Sequence, residues 1–214
     1  MTAVDDWMRR SAGMRSIVLA STSPYRRALL ARLGVPFMTR APEVDEGQWP
    51  GESAEDLVVR LAAAKAWAVA RDYRDALVIG SDQAACLDGR VLGKPGDRDR
   101  AIAQLEQASG RCVTFLTGLC LVAPPDGSQQ CCCEPCHVHF RTLTRAQIEA
   151  YVDRERPFDC AGSFKAEGLG IALFEHIDGA DPTALIGLPL IRLVRMFSAA
   201  GVDVLTAAGH AASN

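Results

Sequence analysis

Four apolar residues, Ile17–Ala20, run directly into Ser21-Thr22-Ser23-Pro24, and this junction constrains the fold more than any other stretch. A short apolar run bounded by turn residues reads as a buried strand. Ser23 is a natural helix N-cap, and Pro24 suits the first helical position, where a missing N–H costs nothing. The helix that follows carries Leu29, Leu30 and Leu33 on its inner face and stops at Gly34. The unit is therefore strand, tight turn and helix start. Its turn combines hydroxyl donors with the unpaired N–H groups and partial positive charge of a helix N-terminus. Arg26 and Arg27 add forked guanidinium donors that match phosphate oxygens.

The remaining sequence repeats this alternation with interruptions. "APEVDEGQWPGES", residues 41–53, reads as a loop, and Ser53 with Asp56 predicts a capping-box start for a helix through about Arg71. Lys65 falls on that helix's leucine side, where a lysine either snorkels outward or serves a buried anion. A buried strand, Ala76–Ile79, precedes Asp82, which the reading places just beyond the strand end, where ligand sites of α/β proteins concentrate. A hairpin at Asp88-Gly89 leads to Lys94-Pro95. Then come a helix (Arg98–Ala108), two long strands (Cys112–Val122 and Gln130–Thr142) and a helix capped by Thr144 and Gln147. An apolar strand within 159–179 and a last helix, Pro189–Ala200, complete the series. Hairpins among the crossovers predict a mixed α/β fold rather than a purely parallel sheet. Residues 1–14 are expected to form a polar, disordered extension, 15–206 a single domain and 207–214 a disordered tail.

Composition narrows the function. A net charge of −3 argues against a nucleic-acid-binding surface. The apolar runs are short of a membrane span, and the N-terminal residues lack the apolar core of a signal peptide, so cytoplasmic residence is the default expectation. Of 23 basic residues only Lys65, Lys94 and Lys165 are lysine, and a lysine supplies a compact point charge with rotatable donors. Glu43, Asp45 and Glu46 share one loop, and with Asp82 they offer hard oxygen ligands for Mg²⁺ or Mn²⁺. No Walker motif occurs. "CCCEPCHVH", residues 131–139, contains zinc-compatible types, but all within nine residues. It is read as a cysteine-rich strand in a reducing compartment, with a zinc module as the competing class.

"LASTSPYRRALL", "APEVDE", "RLAAAKA", "IGSDQ", "GKP", "TGL", "DCAGSFKAEGLG" and "GLPL" occur in the order and spacing of the Maf family of nucleotide pyrophosphatases, which the chain resembles from about Ile17 to Met196. The resemblance implies an elongated mixed α/β protein like inosine-triphosphate pyrophosphatase, with two lobes around a cleft and dimers in many members. It also implies metal-dependent hydrolysis of a nucleoside triphosphate to the monophosphate and pyrophosphate. By position, Asp82 is the proton acceptor that activates water. Ser21, Ser23, Arg26, Arg27, Lys65 and Lys94 line the triphosphate, and Glu43 with Asp82 hold the divalent metal.

Three positions vary with base specificity in the family: here they are Tyr25, Gln83 and Glu167. The Gln and Glu resemble the branch that acts on 7-methyl-GTP, whose guanine carries a positive charge that an aromatic face at Tyr25 attracts. That branch often has Trp at this place. The alternatives are a dTTP/UTP pyrophosphatase of the same family and a nucleotide-binding regulator of cell division.

Overall fold

The computed structural model describes residues 15–124 and 127–207; the expected extension 1–14 lies outside them. Of the expected tail, Ala207 closes a short helix and 208–214 fall outside. Among the described residues seven strands form one sheet: β1 (Ile17–Ala20), β2 (Met38–Arg40), β3 (Leu77–Leu87), β4 (Arg90–Leu92), β5 (Cys112–Ala123), β6 (Ser128–Phe140) and β7 (Phe174–Gly179). The order is β2-β1-β3-β5-β6-β7, with β4 paired to β3. β1 pairs in parallel with β2 and β3 while every other pairing is antiparallel. The sheet is thus mixed, as the hairpins required.

Among the described residues six α-helices flank it: α1 (Pro24–Ala31), α2 (Ala54–Ala70), α3 (Arg98–Ala108), α4 (Arg145–Glu155), α5 (Leu190–Ala199) and α6 (Val204–Ala207). Side chains of alternate strand residues point to opposite faces. On one face, Val113 and Phe115 of β5 pack with α3 and α4, while Leu119 and Leu121 pack with α1 and α5. Two separate cores therefore share one strand, and the cleft opens between them. On the other face, Cys120 and Val122 meet α2 alone. Burying Leu29 and Leu30 of α1 contributes about 1.5–3 kcal/mol each. The Ser23 cap adds about 1 kcal/mol, so packing places the helix and the cap fixes where it begins.

Gly80 and Gly118 let α2 approach the sheet: a Cβ on Gly80 would stand 2.0 Å from the Ala62 carbonyl oxygen, and one on Gly118 2.1 Å from that of Val58. Ser53 caps α2 through the Asp56 N–H, 3.1 Å away. The reciprocal half of the capping box is replaced by a side-chain contact, the Ser53 hydroxyl donating to Asp56 Oδ2 at 2.6 Å. Asp is a methylene shorter than the Glu or Gln of a full box. Thr144 and Gln147 do form the full box at α4.

Two expectations are corrected. β3 does not stop at Ile79; it continues to Leu87, so Asp82 lies inside the strand. What ends instead is its neighbour, since β1 pairs with β3 only across Leu77–Ile79 and β4 only from Ala85 onward. The sheet thus opens beside Gly80–Ala84. The cysteines are not all free either: Cys120 and Cys131, directly opposite each other on β5 and β6, form a disulfide. The C-x-x-C is divided by the strand, Cys136 entering the core on the face opposite Cys133.

Candidate active site

A cleft of about 530 Å³ opens beside the middle of β3, between the N-terminus of α1 and the β3–β4 hairpin. Its first wall is the Ser21–Arg26 turn. Ser21 is buried, and its Oγ accepts the Ser23 N–H at 3.1 Å. Ser23 Oγ in turn accepts the Arg26 N–H at 3.4 Å. The turn is organised by its own hydroxyls, which leaves the start of α1 facing the cleft. Arg26 donates through Nε to the Gly187 carbonyl at 2.9 Å. Burial lowers its pKa, opposed by the nearby charges of Asp82 and Glu46. Ser81 Oγ reaches the same carbonyl, also at 2.9 Å, so the "GLPL" loop fixes the guanidinium against the cleft floor.

The charged centre joins three elements. Lys65, 6% exposed, extends from the sheet-facing side of α2. Its Nζ stands 2.6 Å from Asp82 Oδ1 and 2.6 Å from Glu46 Oε1. The hydrogen bond from Lys65 holds the Glu46 carboxyl below its ordinary range, partly offset by desolvation and helped by the charges of Lys65, Lys94 and Arg26. Lys94 is exposed on the hairpin side of the cleft.

The lining also suits a flat ring, since Tyr25, Phe115, Phe164 and Leu185 contribute to it together with the acids Glu167 and Asp159. Burial raises the Tyr25 phenol pKa, and the neighbouring Cys160, Asp159, Glu167 and Glu155 raise it further. Tyr25 thus stays neutral in an acidic surrounding. Gln83 directs Nε2 to Thr117 Oγ1 (3.0 Å) and to the carbonyls of Ala184 (2.9 Å) and Leu185 (3.1 Å). Its amide nitrogen is committed to the protein and ties β3 to β5 and to the turn at Ala184 and Leu185.

Ser21, Ser23, Tyr25, Arg26, Lys65, Asp82, Gln83, Lys94 and Glu167 all line this cleft. Arg27 does not; it lines a neighbouring depression with Thr22, Ala28 and Thr39. Glu43 is exposed and outside the lining, and Glu46, though exposed too, is the loop acid that lines the cleft. Glu46 was visible as one of three loop acids, but loop spacing does not say which acid faces a site. Phe115, Phe164 and Thr117 were missed because each reads as ordinary core. Lys165 points away, its Nζ donating to the Glu155 carbonyl at 3.2 Å.

Residues 16–200 match the family model described as Maf-like protein. A Pseudomonas aeruginosa protein described as 7-methyl-GTP pyrophosphatase is 56% identical over 191 residues, covering 89% of this chain and 100% of its own. A protein of the same description from Alcanivorax borkumensis is 53% identical over 189 residues, covering 88% and 96%. Among solved structures, the Staphylococcus aureus Ham1 protein is 14% identical, covers 88% of this chain and 100% of its own, and superposes with a TM-score of 0.48. With the motif residues assembled in one cleft and the match extending across both cores, the chain belongs to the Maf-like protein family.

Proposed function

We propose that the chain hydrolyses 7-methyl-GTP to 7-methyl-GMP and pyrophosphate. Similarity over nearly the whole chain to two 7-methyl-GTP pyrophosphatases supports the reaction. One observation carries its placement: Lys65 holds Asp82 and Glu46 together beside Arg26 in the same cleft that Tyr25 and Glu167 line.

In this reading Asp82 accepts the proton of a water that attacks the α-phosphorus. A new P–O bond forms there as the bond to the oxygen bridging the β-phosphorus breaks, and pyrophosphate leaves. Positioning and charge neutralisation supply most of the barrier reduction in such displacements. Ser21, Ser23 and the α1 N-terminus meet the phosphate oxygens, while Arg26, Lys65 and Lys94 offset their charge. Arg27, on the adjoining face, adds to the local field. Asp82 and Glu46 would hold a Mg²⁺ or Mn²⁺ ion. Both are hard oxygen donors that already direct an oxygen at one positive centre, the Lys65 ammonium. Bound there, the metal supplies further charge neutralisation for the polyphosphate.

The positive charge of 7-methylguanine meets the Tyr25 ring and the surrounding acids, and Glu167 accepts hydrogen bonds from the base's N–H edge. We place this activity in the cytoplasm, with residues 15–206 acting as one catalytic unit. Among the described residues no helix is long and apolar enough to cross a membrane.

The test is pyrophosphate release from 7-methyl-GTP, GTP, UTP and dTTP with Mg²⁺ or Mn²⁺. The highest kcat/KM is expected for 7-methyl-GTP. Preference for UTP or dTTP would move the chain to the other branch, and no release from any nucleotide would leave a binding protein.

A further inference from the structure

Three of the chain's four histidines, His137, His139 and His176, lie on β6 and β7. The strand pairing aligns Cys112 of β5 with His139 of β6 and His139 with His176 of β7. These three residues therefore form a row across the sheet. Asp178, two residues along β7, faces the same way. Asp178 Oδ2 lies 3.2 Å from His139 Nε2 and 3.4 Å from His176 Nε2. One ligand atom from each of His139, His176 and Asp178 falls within 4.8 Å of the others, and Cys112 Sγ is 3.8 Å from His139 Nε2.

We propose that this row is a transition-metal site outside the nucleotide cleft, with His139, His176 and Asp178 as ligands and Cys112, whose sulfur stands outside their cluster, rotating in as the fourth. Nitrogen or oxygen ligands about 2.0 Å from a tetrahedral zinc stand about 3.3 Å apart, close to the 3.2 and 3.4 Å that separate Asp178 Oδ2 from the two imidazoles; the stacked rings of His139 and His176, 13° from parallel, and the Cys112 side chain turn toward the ion on binding. The donor set selects the metal class. Two imidazoles, a carboxylate and a thiol suit Zn²⁺, whereas Mg²⁺ and Mn²⁺ favour all-oxygen sets such as Asp82 with Glu46. None of the four residues lines the cleft. The histidines of the cysteine-rich segment therefore find their partners across the strands, on β5 and β7, rather than in the C-x-x-C beside them. Because β7 lies at one edge of the sheet, a bound ion would fasten it to β6 and β5.

The full chain, stripped of metal and then titrated with Zn²⁺ in excess Mg²⁺, is expected to bind one zinc per chain and to melt at a higher temperature. Cobalt replacing zinc should give the intense visible absorption of a tetrahedral site and a thiolate-to-cobalt band. His176→Ala, at a half-exposed position, should weaken zinc binding by more than the roughly 100-fold cost of losing an outer-sphere partner. It should leave Mg²⁺-dependent pyrophosphate release unchanged. Cys112→Ser should remove the thiolate band, and Asp82→Asn should leave zinc binding intact. Zinc affinity unaffected by His176→Ala, or lost with Asp82→Asn, would overturn the proposal. So would a single zinc shared between two chains, or a thiolate band that persists in Cys112→Ser.

Discussion

Lys65 Nζ lies at 2.6 Å from both Asp82 Oδ1 and Glu46 Oε1, on a helix face whose other buried members are leucine, valine and alanine. A cation placed among apolar side chains is held there by its carboxylate partners, and its desolvation cost cancels much of the attraction. Lys65→Met leaves Asp82 and Glu46 facing each other without their cation, so it is expected to abolish turnover and also to lower Tm, because removing one partner of a buried pair strands the other charge. A large fall in Tm with activity retained would make Lys65 a structural residue. Calorimetry and single-turnover kinetics on the same preparation distinguish the two.

Asp82→Asn keeps the shape of the side chain and removes its ability to take a proton. The expected fall in kcat is roughly 10²–10⁴-fold, the usual range for losing a general base, with KM changed far less. Turnover close to that of the unmodified chain would remove Asp82 from the role of base.

The two loop acids separate by metal dependence. Glu46→Gln should raise the Mg²⁺ or Mn²⁺ concentration needed for half-maximal rate, and Glu43→Gln should not. Because Lys65 lowers the folded-state pKa of Glu46, its contribution to stability is present above the ordinary glutamate range and is lost as pH falls through the lowered value. The Tm difference between the unmodified chain and Glu46→Gln should thus be open at neutral pH and close in acid. A difference that widens on acidification contradicts the pairing with Lys65.

Tyr25 carries the preference for a methylated base. Tyr25→Ala should reduce the kcat/KM ratio of 7-methyl-GTP to GTP by about 2- to 30-fold, the equivalent of a cation–π contact of about 0.5–2 kcal/mol. Tyr25→Trp should increase it. An unchanged ratio in both variants would assign selectivity elsewhere, with Glu167 the next residue to vary.

Gly118→Ala is expected to act at a distance from the chemistry. Its new Cβ meets the Val58 carbonyl, a backbone atom that gives way only if α2 shifts. Overpacking of this kind costs about 1–3 kcal/mol, or more against backbone. Moving α2 also moves Lys65, so Tm and kcat should fall together. A variant as stable and active as the parent would show that α2 tolerates displacement.

Local chemistry made much of this legible in advance. Ser23, Ser53 and Thr144 announce their helices because a cap is a contact within three residues. The continuation of β3 was hidden because Ser81, Asp82 and Gln83 are polar where a buried strand should be apolar. Their hydrogen bonds are made by Gly118, Gly187, Lys65, Thr117 and Ala184, all distant in sequence. Arg26 and Arg27 look equivalent in sequence, yet successive helical residues point about 100° apart, and only Arg26 turns into the cleft. The choice of Glu46 over Glu43 and the row of Cys112, His139 and His176 depend on loop path and strand register, which composition does not encode.

The interruption in β3's pairing has a consequence for solubility. A strand edge without a neighbour is a template on which a second chain can add itself. Here the uncovered stretch is confined to Gly80–Ala84, with β1 closing one end and β4 the other. A foreign strand finds only a short, polar foothold, and a nucleotide lying in the cleft covers that too. Idle protein should therefore aggregate faster in storage than protein kept with its ligand.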